Sequence, residues 1–382
     1  MVEWKKLGEV CTDVIVPMRD RPKIFNGSIP WCRIEDIEGM YFNKSLSGLM
    51  VSDDIIKKMN LKVFPTGTVI CSCSATLGVC AINTQPLITN QTFIGLVCSP
   101  KVSNRYIFYY MSTRKKELLS LSTTGTIPYV SREKFENMQI PIPSLEEQTR
   151  IVGILDTFTS AIDNLKEQIA QRRKQYEYYR NQLLDLEGKP GVEMKTIGNI
   201  AKYRRGSFPQ PYGNIEWYDG EGAMPFVQVA DVEENGMRLK RNTKQFISRL
   251  AMPKSVFAPS GTILVTLQGS IGKVAITQYD SYVDRTLGIF ESFKIDINKK
   301  FFAHQLEKIF SVKKEKARGG TIKTITKEEF TNFIIPLPSF KEQQRIVCIL
   351  DTFESSIQNL EAQLKEREKQ YEYYRNKLLT FE

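Results

Sequence analysis

Residues 144–187 read SLEEQTRIVGILDTFTSAIDNLKEQIAQRRKQYEYYRNQLLDLE, and residues 339–382 read SFKEQQRIVCILDTFESSIQNLEAQLKEREKQYEYYRNKLLTFE. The two stretches align without a gap at a constant offset of 195 positions. Roughly two thirds of the aligned residues are identical, far more than chance produces, so the chain contains an internal duplication. Every other part of the chain lies before one copy of this stretch, and the duplication therefore sets the domain organisation.

Each copy is predicted to form one long helix that pairs with another helix. The apolar residues recur at alternating intervals of four and three, which is the spacing of a coiled-coil seam. Ser144 and Ser339 each stand three residues before a glutamate, the pattern of a capping box, and a Pro-x-Pro segment precedes each serine. The predicted seam consists of Ile151, Leu155, Phe158, Ile162, Leu165, Ile169, Tyr176, Tyr179 and Leu183 in the first copy, and of Ile346, Leu350, Phe353, Ile357, Leu360, Leu364, Tyr371, Tyr374 and Leu378 in the second.

Arg172 and Arg367 fill the remaining place in each seam. A polar residue at a seam position costs stability and can fix the register of a coiled coil. The alternative is that each long arginine stem extends out of the seam towards a nearby glutamate.

The two helices are predicted to pair with each other in an antiparallel arrangement. A helix of about 40 residues is about 60 Å long. The stretch at residues 187–193, with Gly188, Pro190 and Gly191, reaches at most roughly 25 Å, which is too short for a parallel pair unless the second domain itself spans the length of the helix. Two similar halves joined in this way imply a pseudo-two-fold axis.

The segments before the helices are also related to each other. GTVICSCSATLGVCAI at 67–82 parallels GTILVTLQGSIGKVAI at 261–276, and each pattern predicts a strand, a glycine-containing turn and a second strand. We therefore predict an α+β chain with two mixed α/β domains. The expected boundaries are 1–143 for the first domain, 144–187 for its helix, 188–193 for the linker, 194–338 for the second domain and 339–382 for its helix.

The net charge of +10 lies outside the helices. Residues 1–144 carry 17 basic and 12 acidic side chains, a balance of +5, and residues 188–338 carry 23 and 15, a balance of +8. Residues 145–187 and 339–382 have balances of −2 and −1. Two basic domains on nearly neutral helices predict that a polyanion binds at two places.

Several classes of protein are disfavoured by the sequence. The chain has no run of 18 apolar residues, and its start, MVEWKKLGEV, lacks the apolar core of a signal peptide. Seven cysteines without a Cys-x-x-Cys pair, and a single histidine, predict a reduced cytoplasmic protein with no disulfide framework, metal site or cofactor. His304 is expected to be a surface or packing residue of a helix rather than a catalyst. No catalytic or nucleotide-binding motif is found, and Gly269 to Lys273 lacks the spacing of a phosphate-binding loop.

Basic clusters and polar turn residues are the candidates for nucleic-acid contact, because cations bind phosphates and polar side chains read base edges. For each basic cluster the alternative is a solvated surface. The candidates in the first domain are Arg19, Arg21, Lys23, Ser74, Thr76, Arg114, Lys115 and Lys116. Those in the second domain are Arg204, Arg205, Arg238, Lys240, Arg241, Lys244, Gln268, Ser270, Lys273, Lys313, Lys314, Lys316 and Arg318.

The entry into each helix, Ile-Pro-x-Pro-Ser-x-x-Glu-Gln-x-x-Ile, followed by Leu-Asp and a long heptad run, resembles the repeated spacer of type I restriction–modification specificity subunits. The GTILVTLQGSIGKVAI stretch and the Trp-Lys-Lys-Leu-Gly start are similar to those of the family's target-recognition domains. The resemblance covers nearly the whole chain and includes the duplicated order of parts. It implies that each domain reads one half of a bipartite double-stranded DNA target while the helices fix the gap.

The resemblance also implies partners and the absence of catalysis. In that family the helical region docks DNA methyltransferase subunits, here two, and a motor–nuclease subunit joins the complex. The first domain departs from the family pattern at GTVICSCSATLGVCAI, so its turn is expected to be built differently. Two rival functions remain open on the sequence. One is a coiled-coil scaffold with non-specific nucleic-acid-binding modules, and the other is a methyltransferase or nuclease acting alone.

Overall fold

The computed structural model describes residues 2–123, 126–234, 236–316 and 325–381, without the side chains of 314–316. Its contacts divide the chain into two units. Unit 1 comprises Met1–Glu167 with Glu361–Glu382, and unit 2 comprises Gln168–Leu360. Each unit therefore contains one globular domain and a part of both long helices.

The first half of the chain has the following elements. Its strands are β1 (Glu3–Lys6), β2 (Cys11–Ile15), β3 (Ile29–Cys32), β4 (Tyr41–Phe42), β5 (Met50–Val51), β6 (Val69–Ser72), β7 (Cys80–Asn83), β8 (Ile88–Thr89), β9 (Phe93–Cys98) and β10 (Gln139–Ile142). Its helices are α1 (Asp53–Lys58), α2 (Asn104–Ser112), α3 (Lys115–Leu121), α4 (Arg132–Glu136) and the long α5 (Leu145–Leu183).

The second half follows a similar order. Its strands are β11 (Glu193–Thr196), β12 (Ala201–Arg205), β13 (Met224–Val227), β14 (Gln245–Ile247), β15 (Val256–Ala258), β16 (Ile263–Thr266), β17 (Val274–Ile276), β18 (Ser281–Val283), β19 (Leu287–Phe293) and β20 (Ile334–Leu337). Its helices are α6 (Ile197–Ile200), α7 (Lys299–Lys316), α8 (Lys327–Thr331) and the long α9 (Phe340–Leu379).

The sheets of the two units have related topologies that differ at their edge strands. The largest sheet has the strand order β2-β9-β6-β7-β4 in unit 1 and β12-β19-β16-β17 in unit 2. A smaller sheet has the order β5-β3-β8 in unit 1 and β14-β13-β18-β15 in unit 2. Antiparallel ribbons, β1 with β10 and β11 with β20, lead into the long helices. The predicted mixed α/β class and its duplication are confirmed.

The turn between the two hairpin strands is built alike in both units, so the expectation of a different turn in the first domain is wrong. Ala75 has a φ of +60° where Gly269 has +70°. The Val79 N–H donates to the hydroxyl of Ser72 at 2.9 Å, and the Lys273 N–H donates to a threonine hydroxyl at 2.9 Å. An alanine in this left-handed region costs about 1 kcal/mol. The paired strands on both sides hold Ala75 in this conformation.

The long helices are antiparallel in each unit, as predicted. In unit 1 Ile151 and Leu155, from the start of α5, share one buried core with Tyr371 and Leu379, from the end of α9. Because an early segment of one helix packs against a late segment of the other, their directions are opposed.

Unit 2 has the reciprocal arrangement. Tyr176, near the end of α5, and Leu184, which directly follows α5, share a core with Ile346 and Leu350, from the start of α9. The cores therefore contain both helices as well as the domains, with Phe301 and Phe302 of α7 among the largest fully buried side chains.

The apolar face of each helix is wider than the heptad seam. Near the ends of α5 and α9 the domain also packs on the helix, so a second row of side chains is buried. These additional buried residues are Val152, Leu184, Val347 and Leu379, whereas the seam residues Leu183 and Leu378 are only half-buried. In the middle of the helices Ile162 and Ile169 are buried, and Leu165, Ile357, Leu360 and Leu364 are half-buried.

The seam arginines lie beside aromatic rings and donate to neighbouring glutamines. Arg172 donates to the Gln175 side chain at 3.2 Å, and its guanidinium lies 5.9 Å from the centre of the Phe353 ring. Arg367 repeats this in unit 1, where it donates to a glutamine at 3.0 Å and lies 5.9 Å from the Phe158 ring.

The predicted capping boxes are half formed. The hydroxyl of Ser144 accepts the Glu147 N–H at 3.3 Å, and Ser339 does the same at the start of α9. The Glu147 carboxylate, however, accepts two bonds from Arg150 at 2.6 and 2.7 Å instead of returning to the capping residue. An i,i+3 ion pair thus takes the place of the reciprocal half of the box.

A buried glutamine ties each long helix to its domain. Gln148 accepts the Ser103 N–H at 2.9 Å, just before α2, and donates to the Pro143 carbonyl at 2.9 Å. Gln343 accepts the Asn298 N–H at 2.9 Å, just before α7, and donates to the Pro338 carbonyl at 3.0 Å. This explains the glutamine in the repeated Glu-Gln pair.

Replacing Gln343 by leucine leaves two backbone groups without partners inside the fold. Each such group costs roughly 1–3 kcal/mol, so we expect Gln343→Leu to lower the free energy of unfolding by about 2 kcal/mol or more, measured by urea denaturation of the full chain. The neighbouring Gln344 is exposed, and Gln344→Leu is the matched control, expected within about 0.5 kcal/mol of wild type. Equal midpoints for the two variants would contradict this role of Gln343.

His304 is a buried packing residue of α7. It occupies in unit 2 the place of Tyr109 in unit 1, whose hydroxyl donates to Asp156 at 2.7 Å. Both ring nitrogens of His304 lack a hydrogen-bond partner among the residues that the structure describes. Burial, with Lys300 and Arg180 nearby, lowers the pKa of His304 from 6.5 to about 3.

The buried imidazole makes folding sensitive to acid. Below pH 6.5 the unfolded chain takes up a proton that folded His304 refuses until about pH 3, so this contribution to stability is present above pH 6.5 and falls with the pH between these values. From pH 7 to pH 5 the loss is about 2 kcal/mol. We expect the free energy of unfolding of His304→Leu to fall by about 2 kcal/mol less than that of wild type between pH 7 and pH 5, measured by denaturation at both pH values. An identical loss in wild type and variant would show that His304 does not titrate on unfolding.

Candidate DNA interface

The loop at residues 16–28, between β2 and β3, carries the first basic cluster. Arg19, Arg21 and Lys23 are all exposed. The Arg21 guanidinium lies 5.2 Å from the Trp31 ring centre and 5.7 Å from that of Phe25, which gives this side chain a fixed direction. Arg19 and Lys23 form no ion pair within the described parts of the chain. Their charge is available to a polyanion.

A buried aspartate in each unit fixes the segment that follows the first strand of the smaller sheet. Asp36 accepts the N–H groups of Arg33 and Leu46, both at 2.7 Å. The equivalent Asp231 accepts the N–H groups of Gln228 and Lys244, both at 2.8 Å. Sequence reasoning missed both residues, although the aspartate shared by RIEDIE and QVADVE was a usable signal.

Asp231 thereby holds the second domain's basic segment in place. This segment, residues 238–244, exposes Arg238, Lys240, Arg241 and Lys244. The Tyr279 hydroxyl donates to the Lys240 carbonyl at 2.8 Å and fixes the middle of the segment. Its backbone is therefore anchored at two points while the cationic side chains remain exposed.

The turns between the hairpin strands carry the proposed base readers. Thr76 and Ser270 are exposed, and Ser74 and Gln268 are half-buried. The two turns have a left-handed residue at the same place, Ala75 and Gly269, and differ in these side chains. Lys273, in contrast, forms an ion pair with Glu234 at 2.8 Å and has a half-buried side chain.

Several of the predicted candidates lie close together. In unit 2 the Lys273–Glu234 pair links the turn to the segment that precedes residues 238–244. In unit 1 a side-chain carbon added at Gly78 of the turn would lie 2.8 Å from the Cβ of Lys115, so the turn packs directly against the start of α3. Among the described residues, no hydrogen bond or ion pair joins the loop at 16–28 to this turn.

Some candidate cations have structural contacts. Arg205 donates to the Ile325 carbonyl at 3.1 Å, while its neighbour Arg204 is exposed and lies 3.7 Å from Glu291. Arg114 stacks at 4.2 Å on the Tyr110 ring. Arg205 and Arg114 therefore stabilise the fold as well as lying in the candidate basic clusters.

The structure describes the remaining basic clusters, at 115–116 and 313–318, only in part. Lys115 and Lys116 are exposed at the start of α3. Lys313 lies 4.2 Å from the centre of the Phe333 ring and 3.5 Å from the carboxylate of Glu329. The remaining candidates near it, the side chains of Lys314 and Lys316 and the whole of Arg318, lie outside the described residues.

In the described ranges, no group of three or more His, Cys, Asp and Glu side chains could hold a metal ion. Cys11, Cys32, Cys71, Cys73, Cys80, Cys98 and Cys348 are free thiols. Within the same ranges, no helix has both the length and the apolar character of a membrane span.

Comparison with known proteins identifies the family. The family of the type I restriction modification DNA specificity domain matches residues 1–172 and 190–368. The chain belongs to this family. The match occurs once in each half and covers most of both long helices, in agreement with the duplicated architecture.

The chain is similar to several type I specificity subunits. The EcoR124I/EcoR124II type I specificity subunit of Escherichia coli is 31% identical over 294 residues, which cover 72% of this chain and 70% of that protein. A putative type I specificity subunit of Haemophilus influenzae is 28% identical over 299 residues, 74% and 73% of the two chains.

Solved structures of type I specificity proteins have the same fold. The S subunit of M. genitalium superposes with a TM-score of 0.59 at 15% identity, over 100% of this chain and 97% of that one. A chain from a structure on complex assembly and conformational transition of the type I system gives 0.64 at 21% identity, over 99% and 96%. The fold of a specificity subunit is thus shown over the whole chain.

Neutralising Arg19 and Lys23 together is expected to weaken DNA binding and its salt dependence. Two lost phosphate contacts reduce the slope of log K against log salt by about two. The measurement is a titration of the full chain with duplex DNA between 50 and 200 mM salt. Lys57→Gln with Lys58→Gln removes the same charge from exposed positions in α1 and serves as the control. Equal slopes for the two double variants would exclude the 16–28 loop from phosphate contact.

Proposed function

We propose that this chain is the DNA-recognition subunit of a type I restriction–modification complex, in which the domains at 1–143 and 194–338 each read one half of a bipartite target. The observation that carries this proposal is the pair of equivalent hairpin turns. One backbone conformation presents Ser74 and Thr76 in one unit and Gln268 and Ser270 in the other. A constant scaffold with different polar side chains suits two different half-sites.

The basic residues supply affinity, and the polar turn residues supply sequence discrimination. Exposed cations such as Arg19, Lys23, Arg204 and Arg238 attract phosphates regardless of sequence and position each domain on the duplex. Lys273 has a different role in this proposal, because its ion pair with Glu234 supports the turn beside the basic segment.

The long helices set the gap between the two half-sites and dock the catalytic partners. Two DNA methyltransferase subunits bind the helices, and a motor–nuclease subunit joins through the assembled complex. The helices suit protein contact, since their balances of −2 and −1 offer no general attraction to DNA.

The chain itself performs no chemistry in this proposal and acts on cellular DNA in the cytoplasm. Family membership favours specific recognition over a scaffold that binds nucleic acid without sequence preference. Purified chain with a methyl donor is expected to leave DNA unmodified until the methyltransferase subunit is added, and the complete mixture is expected to methylate a bipartite motif.

Lengthening both helices is expected to widen the gap in the recognised motif. One heptad inserted after Glu167 and one after Ala362 keep the seam in phase and add roughly 10 Å, about three base pairs. Sequencing of methylated sites should return the same two half-sites separated by three further base pairs. The same seven residues inserted in the linker at 188–193 are the control and should leave the gap unchanged. An unchanged gap in the helix variant would refute the role of the helices as a spacer.

A further inference from the structure

Two cysteines face each other at the base of the hairpin turn in unit 1. Cys71 on β6 and Cys80 on β7 are directly opposite in the antiparallel register, and their sulfur atoms lie 3.1 Å apart. The Ser72 N–H donates to the Val79 carbonyl at 2.8 Å, so the adjacent rung, Cys71 with Cys80, is a non-hydrogen-bonded pair. Side chains approach most closely at such pairs, and the two thiols are in contact in the reduced chain.

The backbone at this pair permits a disulfide. Non-hydrogen-bonded pairs have Cα atoms about 4.5 Å apart, and disulfides join Cα atoms that are roughly 4.4–6.8 Å apart. From their separation of 3.1 Å the sulfur atoms need to approach by only about 1 Å to reach the length of an S–S bond. The strand pairing itself therefore already brings the thiols to reacting distance.

Neighbouring thiols have different partners. Cys73 donates to the Gln91 carbonyl at 3.8 Å, and Cys98 donates to the Leu96 carbonyl at 4.0 Å. In unit 2 the equivalent rung is Val265 opposite Val274, and both valines are buried in the core. Because valine fills this place in unit 2, packing alone does not require cysteine, and the paired thiols give the first domain a chemistry that the second lacks at this rung.

We propose that Cys71 and Cys80 form a reversible disulfide with a small two-electron oxidant such as hydrogen peroxide, and that this bond weakens reading of the first half-site. The turn that this pair closes, residues 73–79, carries Ser74 and Thr76. Most disulfides join Cα atoms about 5.5–6 Å apart, so the bond moves the strands apart at the base of the turn and displaces both side chains. The effect on DNA rests on the proposed function, whereas the disulfide itself does not.

Hydrogen peroxide alone balances the oxidation. Cys80 is 7% exposed where Cys71 is fully buried, and the Cys80 thiolate attacks a peroxide oxygen, which breaks the O–O bond and leaves a sulfenic acid and water. The hydrogen bond with Cys80 and burial raise the pKa of the Cys71 thiol, so Cys71 keeps its proton until the second step. Its sulfur then attacks the Cys80 sulfur, the S–O bond breaks, and the departing hydroxide takes the Cys71 proton to form a second water. The two sulfurs lose two electrons in all, and a dithiol reductant returns them.

The first measurement locates the disulfide. The full chain is treated with hydrogen peroxide, freed of it with catalase, alkylated under denaturing conditions and mapped by mass spectrometry of its peptides. Wild type is expected to contain a Cys71–Cys80 bond that dithiothreitol removes. Cys71→Val with Cys80→Val copies the valine pair of unit 2 into unit 1 and should form no such bond. Cys348→Ser removes an exposed thiol of α9 and is the control, expected to behave as wild type.

The second measurement tests the effect on reading. Reduced and oxidised chains are assembled with the methyltransferase subunit and titrated with duplex DNA that carries the methylated motif. Oxidation is expected to lower the affinity of wild type for this duplex about tenfold, the effect of losing one good base contact, and dithiothreitol should restore it. A duplex with a scrambled first half-site should bind both forms equally. The double valine variant should bind the motif equally before and after peroxide.

Two results would overturn the inference. One is a peptide map of treated wild type without a Cys71–Cys80 bond, and the other is an oxidised chain that contains the bond and binds the motif as tightly as the reduced chain. An equal loss of affinity in the double valine variant would likewise assign the effect to other thiols. A reduced wild-type complex that does not distinguish the motif from scrambled DNA would refute the proposed function, while the peptide map decides the disulfide independently.

Discussion

The antiparallel pairing of the repeated helices is the constraint on which the rest of the structure depends. The core of unit 1 includes Leu379, and the core of unit 2 includes Leu184, so each core contains the end of a helix that begins with the other domain. Burying two leucines of this kind contributes several kcal/mol. Neither domain completes its apolar core with its own helix alone, and the stability of both units therefore depends on the duplicated sequence.

Polar contacts determine how each domain is joined to the helices. Asp156 accepts bonds from Arg105 and Tyr109, and Asp351 accepts a bond from Lys300, all at 2.7 Å. Together with the buried glutamines at the helix entries, these contacts fix the orientation of α2 on α5 and of α7 on α9. A rigid junction of this kind between domain and helix is needed if the length of the helices is to set the gap between the two half-sites.

The candidate basic side chains fall into two groups according to their contacts within the fold. Arg205, Arg114 and Lys273 have partners within the fold, and their removal is expected to alter structure. Arg19 and Lys23 are exposed and form no ion pair in the ranges that the structure describes. The net positive charge of each domain is thus larger than the charge available to a polyanion, because some of its cations have partners within the fold.

The sequence by itself determined the duplication, the long helices, their serine caps, their antiparallel pairing and the paired hairpins. These features follow from local periodicity and from the reach of a short linker, both of which are properties of the chain alone. Only the tertiary structure decided that Gln148, Asp36 and Asp231 are buried anchors and that the helices bury a row of side chains beyond the seam. It also decided which cations have partners. Burial and pairing depend on residues distant in sequence, which a local pattern does not specify.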